Sequence, residues 1–136
     1  MHNTLYTGDN LFFLRGLNSN IVDLIYLDPP FGTNAFYDAP VGTKAEGISF
    51  EDVWTWNKID KDYLEIIIDE YPYLFQYIDS VEEINGEAMK SYLTYMAQRI
   101  IELYRVLKKS GSFYLHCDSA ASHYLKIVCD EIFGKK

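Results

Sequence analysis

The run Ile21-Val22-Asp23-Leu24-Ile25-Tyr26-Leu27, closed by Pro29-Pro30, constrains the fold more than any other stretch of the chain. An apolar, β-branched run of that length reads as a central parallel strand covered on both faces. A second run, Ser112-Phe113-Tyr114-Leu115-His116-Cys117, has the same character. Between them Met89, Leu93, Met96, Ile100, Leu103 and Leu107 step by alternating fours and threes, which is one apolar face of a long helix. Lys108 and Lys109 are expected in its last turn, with Gly111 as the stop. After the second strand, Asp118 or Ser119 caps a helix whose inner face is Ala121, Leu125, Val128 and Ile132. Strands alternating with helices mean a parallel sheet, hence an α/β class.

The remaining segments are less regular. Leu5-Tyr6-Thr7 is a short strand candidate that ends at Gly8-Asp9-Asn10, where Asp9 or Asn10 caps a helix carrying Leu11, Phe12, Leu14 and Leu17. From Gly32 to about Lys61, punctuation by Gly32, Pro40, Gly42 and Gly47 predicts a long mobile loop. Phe50 to Trp56 ends that loop with aromatic anchors. A helical patch around Tyr63–Ile68 is cut near Pro72, and helix resumes over Tyr73–Val81.

The 136 residues suit one domain with a real core. No apolar stretch approaches the roughly 18 residues of a membrane span. Met1-His2-Asn3-Thr4 leads into no apolar core, so no secretory signal is expected. Cys117 and Cys129 make neither a disulfide framework nor a zinc set, and suit a reducing cytoplasm as small buried hydrophobes. The formal charge is −8, yet twelve acids against Lys58 and Lys61 fall between Glu46 and Glu87, leaving the remainder slightly basic. That acidic stretch reads as a solvated face. A chain of this charge is no self-sufficient nucleic-acid binder, because such affinity comes from Lys and Arg displacing counterions.

Asp28-Pro29-Pro30-Phe31 lies at the carboxyl end of the first strand, where open α/β sheets bind ligands. Its residue types suit an amino group conjugated to a heteroaromatic ring. Such a nitrogen is planar and a poor nucleophile. The Asp28 carboxylate and the Pro29 carbonyl can each accept one N–H, favouring a pyramidal nitrogen with its lone pair aimed at an electrophile. Pro29 and Pro30 hold the turn stiff, and Phe31 offers a stacking face for a base flipped from the duplex.

Ile25 to Phe31 resembles the catalytic motif of the amino-group DNA methyltransferases that act on adenine or cytosine. Gly8-Asp9-Asn10 resembles the family's Gly-Asp element near the cofactor. Phe50-Glu51-Asp52-Val53-Trp54-Thr55-Trp56, the Arg99–Leu107 helix, and Leu115-His116-Cys117-Asp118 with Ser122-His123-Tyr124-Leu125-Lys126 are similar to stretches of its β-ordered, restriction-modification branch. The resemblance implies a Rossmann-like, S-adenosylmethionine-dependent methyltransferase fold, here partial and incomplete at the C-terminus. It implies Asp28, Pro29, Pro30 and Phe31 as catalytic residues, Asp9 and Asp28 beside the cofactor, no metal, and adenine more often than cytosine. That branch also carries a Phe-x-Gly-x-Gly cofactor loop and a basic target-recognition segment, and neither pattern occurs in this sequence. The expectation is the catalytic-motif half of a bacterial, cytoplasmic DNA methyltransferase. It would meet double-stranded DNA through parts lying elsewhere, and pair with a restriction subunit or a second methyltransferase chain.

Blander readings stand beside these. The tetrapeptide alone is also an ordinary strand-to-loop turn, and Asp9 and Asp118 are ordinary helix caps. His116 and His123 read as core or surface histidines, with no carboxylate at ligand spacing in the sequence. Cys117 sits near a strand end, but amino methylation uses no covalent intermediate. Trp54 and Trp56 read as packing anchors. A non-catalytic remnant or split-protein module needing a second chain is the alternative function, and methylation of a protein glutamine or of RNA is a third.

Overall fold

Asp9 begins the first helix by accepting the Leu11 N–H at 2.9 Å, which caps α1 (Asn10–Arg15). The computed structural model describes residues 3–31, 36–38, 41–42, 49–51 and 54–134. After α1 come strand β1 (Val22–Leu27), the short strands β2 (Phe36–Asp38) and β3 (Ser49–Glu51), and a 3₁₀ turn at Trp56–Lys58. Helices α2 (Lys61–Glu70), α3 (Pro72–Asn85) and α4 (Glu87–Val106) follow, then strand β4 (Leu107–Leu115) and helix α5 (Ser122–Phe133). Pro72 opens α3, where its missing N–H costs nothing. No helix among the described residues is long and apolar enough to cross a membrane.

β1 and β4 pair in parallel, Ile25 opposite Phe113 and Leu27 opposite Leu115, so the α/β class is confirmed on a two-stranded parallel sheet. The helices cover one face of it. Ile25 on that face joins Leu14, Leu103, Val106 and Leu107, with Leu27 and Phe113 packed against them. Beyond lies the larger core, in which Leu93, Met96 and Ile100 of α4 meet Ile67, Leu74 and Ile78 of α2 and α3 and Leu125 and Val128 of α5. Each fully buried side chain of this kind contributes about 1.5–3 kcal/mol. The inner face read for α5 is buried throughout.

α4 is more than amphipathic, since it is enclosed by α1, α2, α3, α5 and the 3₁₀ turn. Buried polar groups on it therefore need partners. Gln98 Nε2 donates to the Asp60 carbonyl at 2.7 Å, Thr94 donates to the Lys90 carbonyl, and Glu102 accepts from Tyr63 Oη and from Arg105. Burial and the Glu102 carboxylate push the Tyr63 phenol well above its ordinary range.

Five expectations need correction. Leu5-Tyr6-Thr7 is not a strand: it has no pairing partner among the described residues, and Leu5 and Tyr6 are exposed. β1 and β4 are covered on one face only, for Leu24, Tyr26 and Tyr114 on the other face are 60%, 65% and 55% exposed. The long α4 helix ends at Val106, so Lys108 and Lys109 lie in β4 instead of a last helical turn. The Ile21 and Asn20 N–H groups satisfy the Val106 and Arg105 carbonyls, and Lys108 Nζ reaches Asp23 Oδ1 at 2.7 Å. Gly111 is no helix stop. It lies where the register slips between the Val22 and Leu24 pairings, and a Cβ there would meet Leu107 Cδ1 at 2.6 Å and the Asp23 carbonyl at 3.0 Å. Finally, the segment after the motif is not all loop: β2 and β3 form an antiparallel hairpin, Tyr37 opposite Phe50. Gly32, Pro40, Gly47, Asp52 and Val53 lie outside the described residues.

Candidate active site

The register that pairs Leu27 with Leu115 carries one step further. The His116 N–H donates to the Leu27 carbonyl at 2.9 Å, so the residues just past both strands, Asp28 and His116, become neighbours. His116 Nδ1 lies 3.0 Å from Asp28 Oδ1, and both side chains are more than half exposed. By strand alternation they share the uncovered face with Tyr26 and Tyr114. Pro29 turns inward and is buried; Pro30 and Phe31 are half-buried. The Phe31 ring meets the His116 ring edge-on, centroids 5.3 Å apart. Among the described residues no donor reaches Asp28 Oδ2 or the Pro29 carbonyl. Two acceptors without a donor among the described residues thus lie at the sheet's carboxyl end beside an aromatic ring, one on exposed Asp28 and one on buried Pro29.

Asp9 has a different setting. Its carboxylate is gripped by the Arg99 guanidinium, with Nη2 at 2.8 and 2.9 Å from the two oxygens. Arg99 itself is buried, also donating to Asn10 Oδ1 and the Tyr95 carbonyl and lying over the Tyr95 ring at 3.2 Å. Asp9, Leu11, Phe12 and Arg99 border a cleft of about 180 Å³. That is below the roughly 300–1,000 Å³ of a site enclosing a ligand of drug size. A larger cleft of about 900 Å³ opens at the opposite end of the strands, among Ser19, Lys108, Lys109 and Phe133. It contains none of the motif residues, and chemistry places the candidate site at Asp28 in preference to cavity size.

The other candidates resolve into packing. Asp118 Oδ1 accepts the Ala121 N–H at 2.9 Å in a turn leading into α5. Trp54 is buried against Tyr92 and Tyr95, an anchor as its position suggests, and Lys90 Nζ lies over the Trp56 ring. Asp79 and Glu82 of the acidic stretch pair with Lys90 and Asp60 with Arg15, while Asp62, Glu65, Asp69, Glu70, Glu83 and Glu87 are exposed. His123 is exposed. Among the described residues no group of three His, Cys, Asp or Glu is placed to hold a metal.

Burial raises both cysteine pKa values, with Asp118 adding to the effect at Cys117 and Asp130 at Cys129, which is pushed up to about 11. A raised thiol pKa means less thiolate at neutral pH, the reverse of an activated nucleophile. Alkylation by iodoacetamide at pH 8 is expected to be slower for both thiols in the folded chain than in denaturant, by about 100-fold at Cys129. Fast labelling of folded Cys117 would reopen a nucleophilic role.

The neighbour of the motif that sequence reasoning missed is His116. Its partner stands 88 positions away, and only the parallel register brings the two together.

Residues 22–136 match the DNA methylase family. Over 138 residues the chain is 28% identical to the Type III restriction-modification enzyme StyLTI Mod subunit of Salmonella typhimurium, covering 98% of this chain and 19% of that protein. It is 24% identical over 136 residues to the Type III restriction-modification enzyme EcoP15I Mod subunit of Escherichia coli, covering 97% and 19%. Against the Type II methyltransferase M.KpnI of Klebsiella pneumoniae the identity is 22% over 138 residues, covering 97% and 24%. The chain thus spans about a fifth to a quarter of the length of these relatives. No solved structure matches it.

Proposed function

Because this chain belongs to the DNA methylase family of restriction-modification systems, we propose that it forms the catalytic-motif portion of an enzyme methylating the exocyclic amino group of a flipped base, most consistent with adenine. The observation that carries this reading is the pair of acceptors, Asp28 Oδ2 and the Pro29 carbonyl, that no donor among the described residues takes up at the carboxyl end of a parallel strand. In this reading each takes one N–H of the amino group, while Phe31 stacks on the base. Nitrogen so held is drawn toward a pyramidal geometry, and its lone pair points away from the two acceptors. S-adenosylmethionine, when bound, would supply the electrophilic methyl group, its sulfonium leaving as the neutral thioether, and the nitrogen would lose its surplus proton to water. Asp28 acts by position and by negative charge beside a nitrogen that becomes positive.

The methyl donor fits these residues in part. Asp28 would border it at the strand end, and Asp9 forms a wall of the smaller cleft, its largely exposed carboxylate held by Arg99 and the Leu11 N–H. The glycine loop that would close over the donor, and the basic segment that would read DNA, belong in this proposal to sequence outside these 136 residues. The Rossmann-like architecture is part of the same proposal: the uncovered Leu24–Tyr26–Tyr114 face has the character of a sheet surface that a further helical layer covers. A restriction subunit is the proposed partner, as two of the relatives are Mod subunits.

The test is nucleoside analysis. Full-length protein carrying this chain, incubated with unmethylated genomic DNA and S-adenosylmethionine, is expected to yield N6-methyladenine. N4-methylcytosine would keep the mechanism and correct the base. Absence of both products would favour a non-catalytic module.

A further inference from the structure

Resting on that reading of Asp28, we propose that His116 is its positioning residue, holding the carboxylate through Oδ1 so that Oδ2 faces the target amino group. The contact is built into the sheet. His116 Nδ1 lies 3.0 Å from Asp28 Oδ1, and the backbone bond from the His116 N–H to the Leu27 carbonyl fixes the two Cα positions independently of the side chains. Phe31 then meets the imidazole edge-on. The first and last residues of the tetrapeptide therefore touch one histidine supplied by the neighbouring strand.

The chemistry suits a donor of this kind. An aspartate just past a strand end, more than half exposed, turns about its χ angles unless something holds it. An acceptor group that must meet a poorly nucleophilic nitrogen gains from being fixed before the ligand arrives. Donation from Nδ1–H to Oδ1 fixes the carboxyl plane and leaves Oδ2 open. An imidazole N–H is a directed donor held at a fixed point by the sheet; a lysine ammonium is a point charge on a flexible stem. In the open chain an exposed pair contributes little to stability. Its consequence belongs to the liganded state, where a base and a covering layer exclude water.

The experiment uses the full-length protein, tritiated S-adenosylmethionine and genomic DNA from a methylation-deficient host. His116→Ala is expected to lower kcat by about 10- to 100-fold with KM for DNA and methyl donor within about twofold. His116→Asn, whose side-chain amide can donate from nearly the Nδ1 position, is expected to recover most of that loss, whereas His116→Phe is not. Should the alanine variant fail to fold, the asparagine and phenylalanine variants, which fill the site, carry the same comparison. Alanine activity within twofold of wild type, equal activity in the asparagine and phenylalanine variants, or a rise in KM at unchanged kcat would each overturn the assignment while leaving the methyltransferase reading intact. No label transferred by the wild type would overturn that reading, and this assignment with it.

Discussion

Asp28→Ala in the full-length enzyme is expected to slow methyl transfer by at least roughly 10³-fold, about 4 kcal/mol of transition-state stabilisation. The basis is that one carboxylate provides both an N–H acceptor and a negative charge at the motif. DNA and methyl-donor affinity should change little, because the loss falls on the step in which charge develops on nitrogen. The fold should not change either: Asp28 is exposed and, among the described residues, its side chain makes one hydrogen bond, to His116. Asp28→Asn separates geometry from charge. It keeps an acceptor oxygen without the charge, so its rate should fall between wild type and alanine. Single-turnover measurement of label transfer checks this, and a near-normal rate for the alanine variant would remove Asp28 from the mechanism.

Asp9→Ala is expected to act on stability instead. It removes the cap of α1, worth about 1 kcal/mol. It also leaves the buried Arg99 guanidinium, 4% exposed, with only Asn10 Oδ1 and the Tyr95 carbonyl as acceptors. Stripping a buried charge of its counterion costs about 3–5 kcal/mol; Asp9 itself is largely exposed, so the lower end applies. The combined loss of about 4 kcal/mol is a large share of a typical domain's stability. The midpoint of urea unfolding should fall with an unchanged slope. Arg99→Met should cost less, because the carboxylate it abandons can hydrate. If Asp9→Ala unfolds at the wild-type midpoint while methyl-donor binding is lost, Asp9 is a ligand and not a brace.

How far these features can be read from the sequence depends on the range of the interaction. α4 and α5 are legible because their apolar spacing repeats within a few residues. The end of α4 is not, since Leu107 continues the helical stripe as well as it begins a strand; its pairing with Val22, far away in the chain, decides for the strand. The run Ile21–Leu27 reveals a strand but not its coverage. Leu24 and Tyr26 are apolar enough for a buried face, and only the tertiary arrangement shows that no described element packs there. Asp28 is found because its neighbours carry the chemistry locally. His116 escapes because a strand carries no register in its own sequence. A usable signal does exist: Asp28 and His116 each come first after an apolar run of the same phase, the pattern that two parallel neighbours would show at a shared end.

The pairing of β1 with β4 also orders events in time. Asp28 leaves the ribosome 88 residues before His116. Closing a loop of that length costs entropy that grows only slowly with its size, but nothing repays it until both ends are present. The intervening helices α2, α3 and α4 rest largely on local contacts and can gather first. The motif would then be among the last parts of the chain to take shape. A lesion in the helical core would so register as lost methylation before it registered as lost helix. In the proposed enzyme, catalysis would thus report on the completeness of folding.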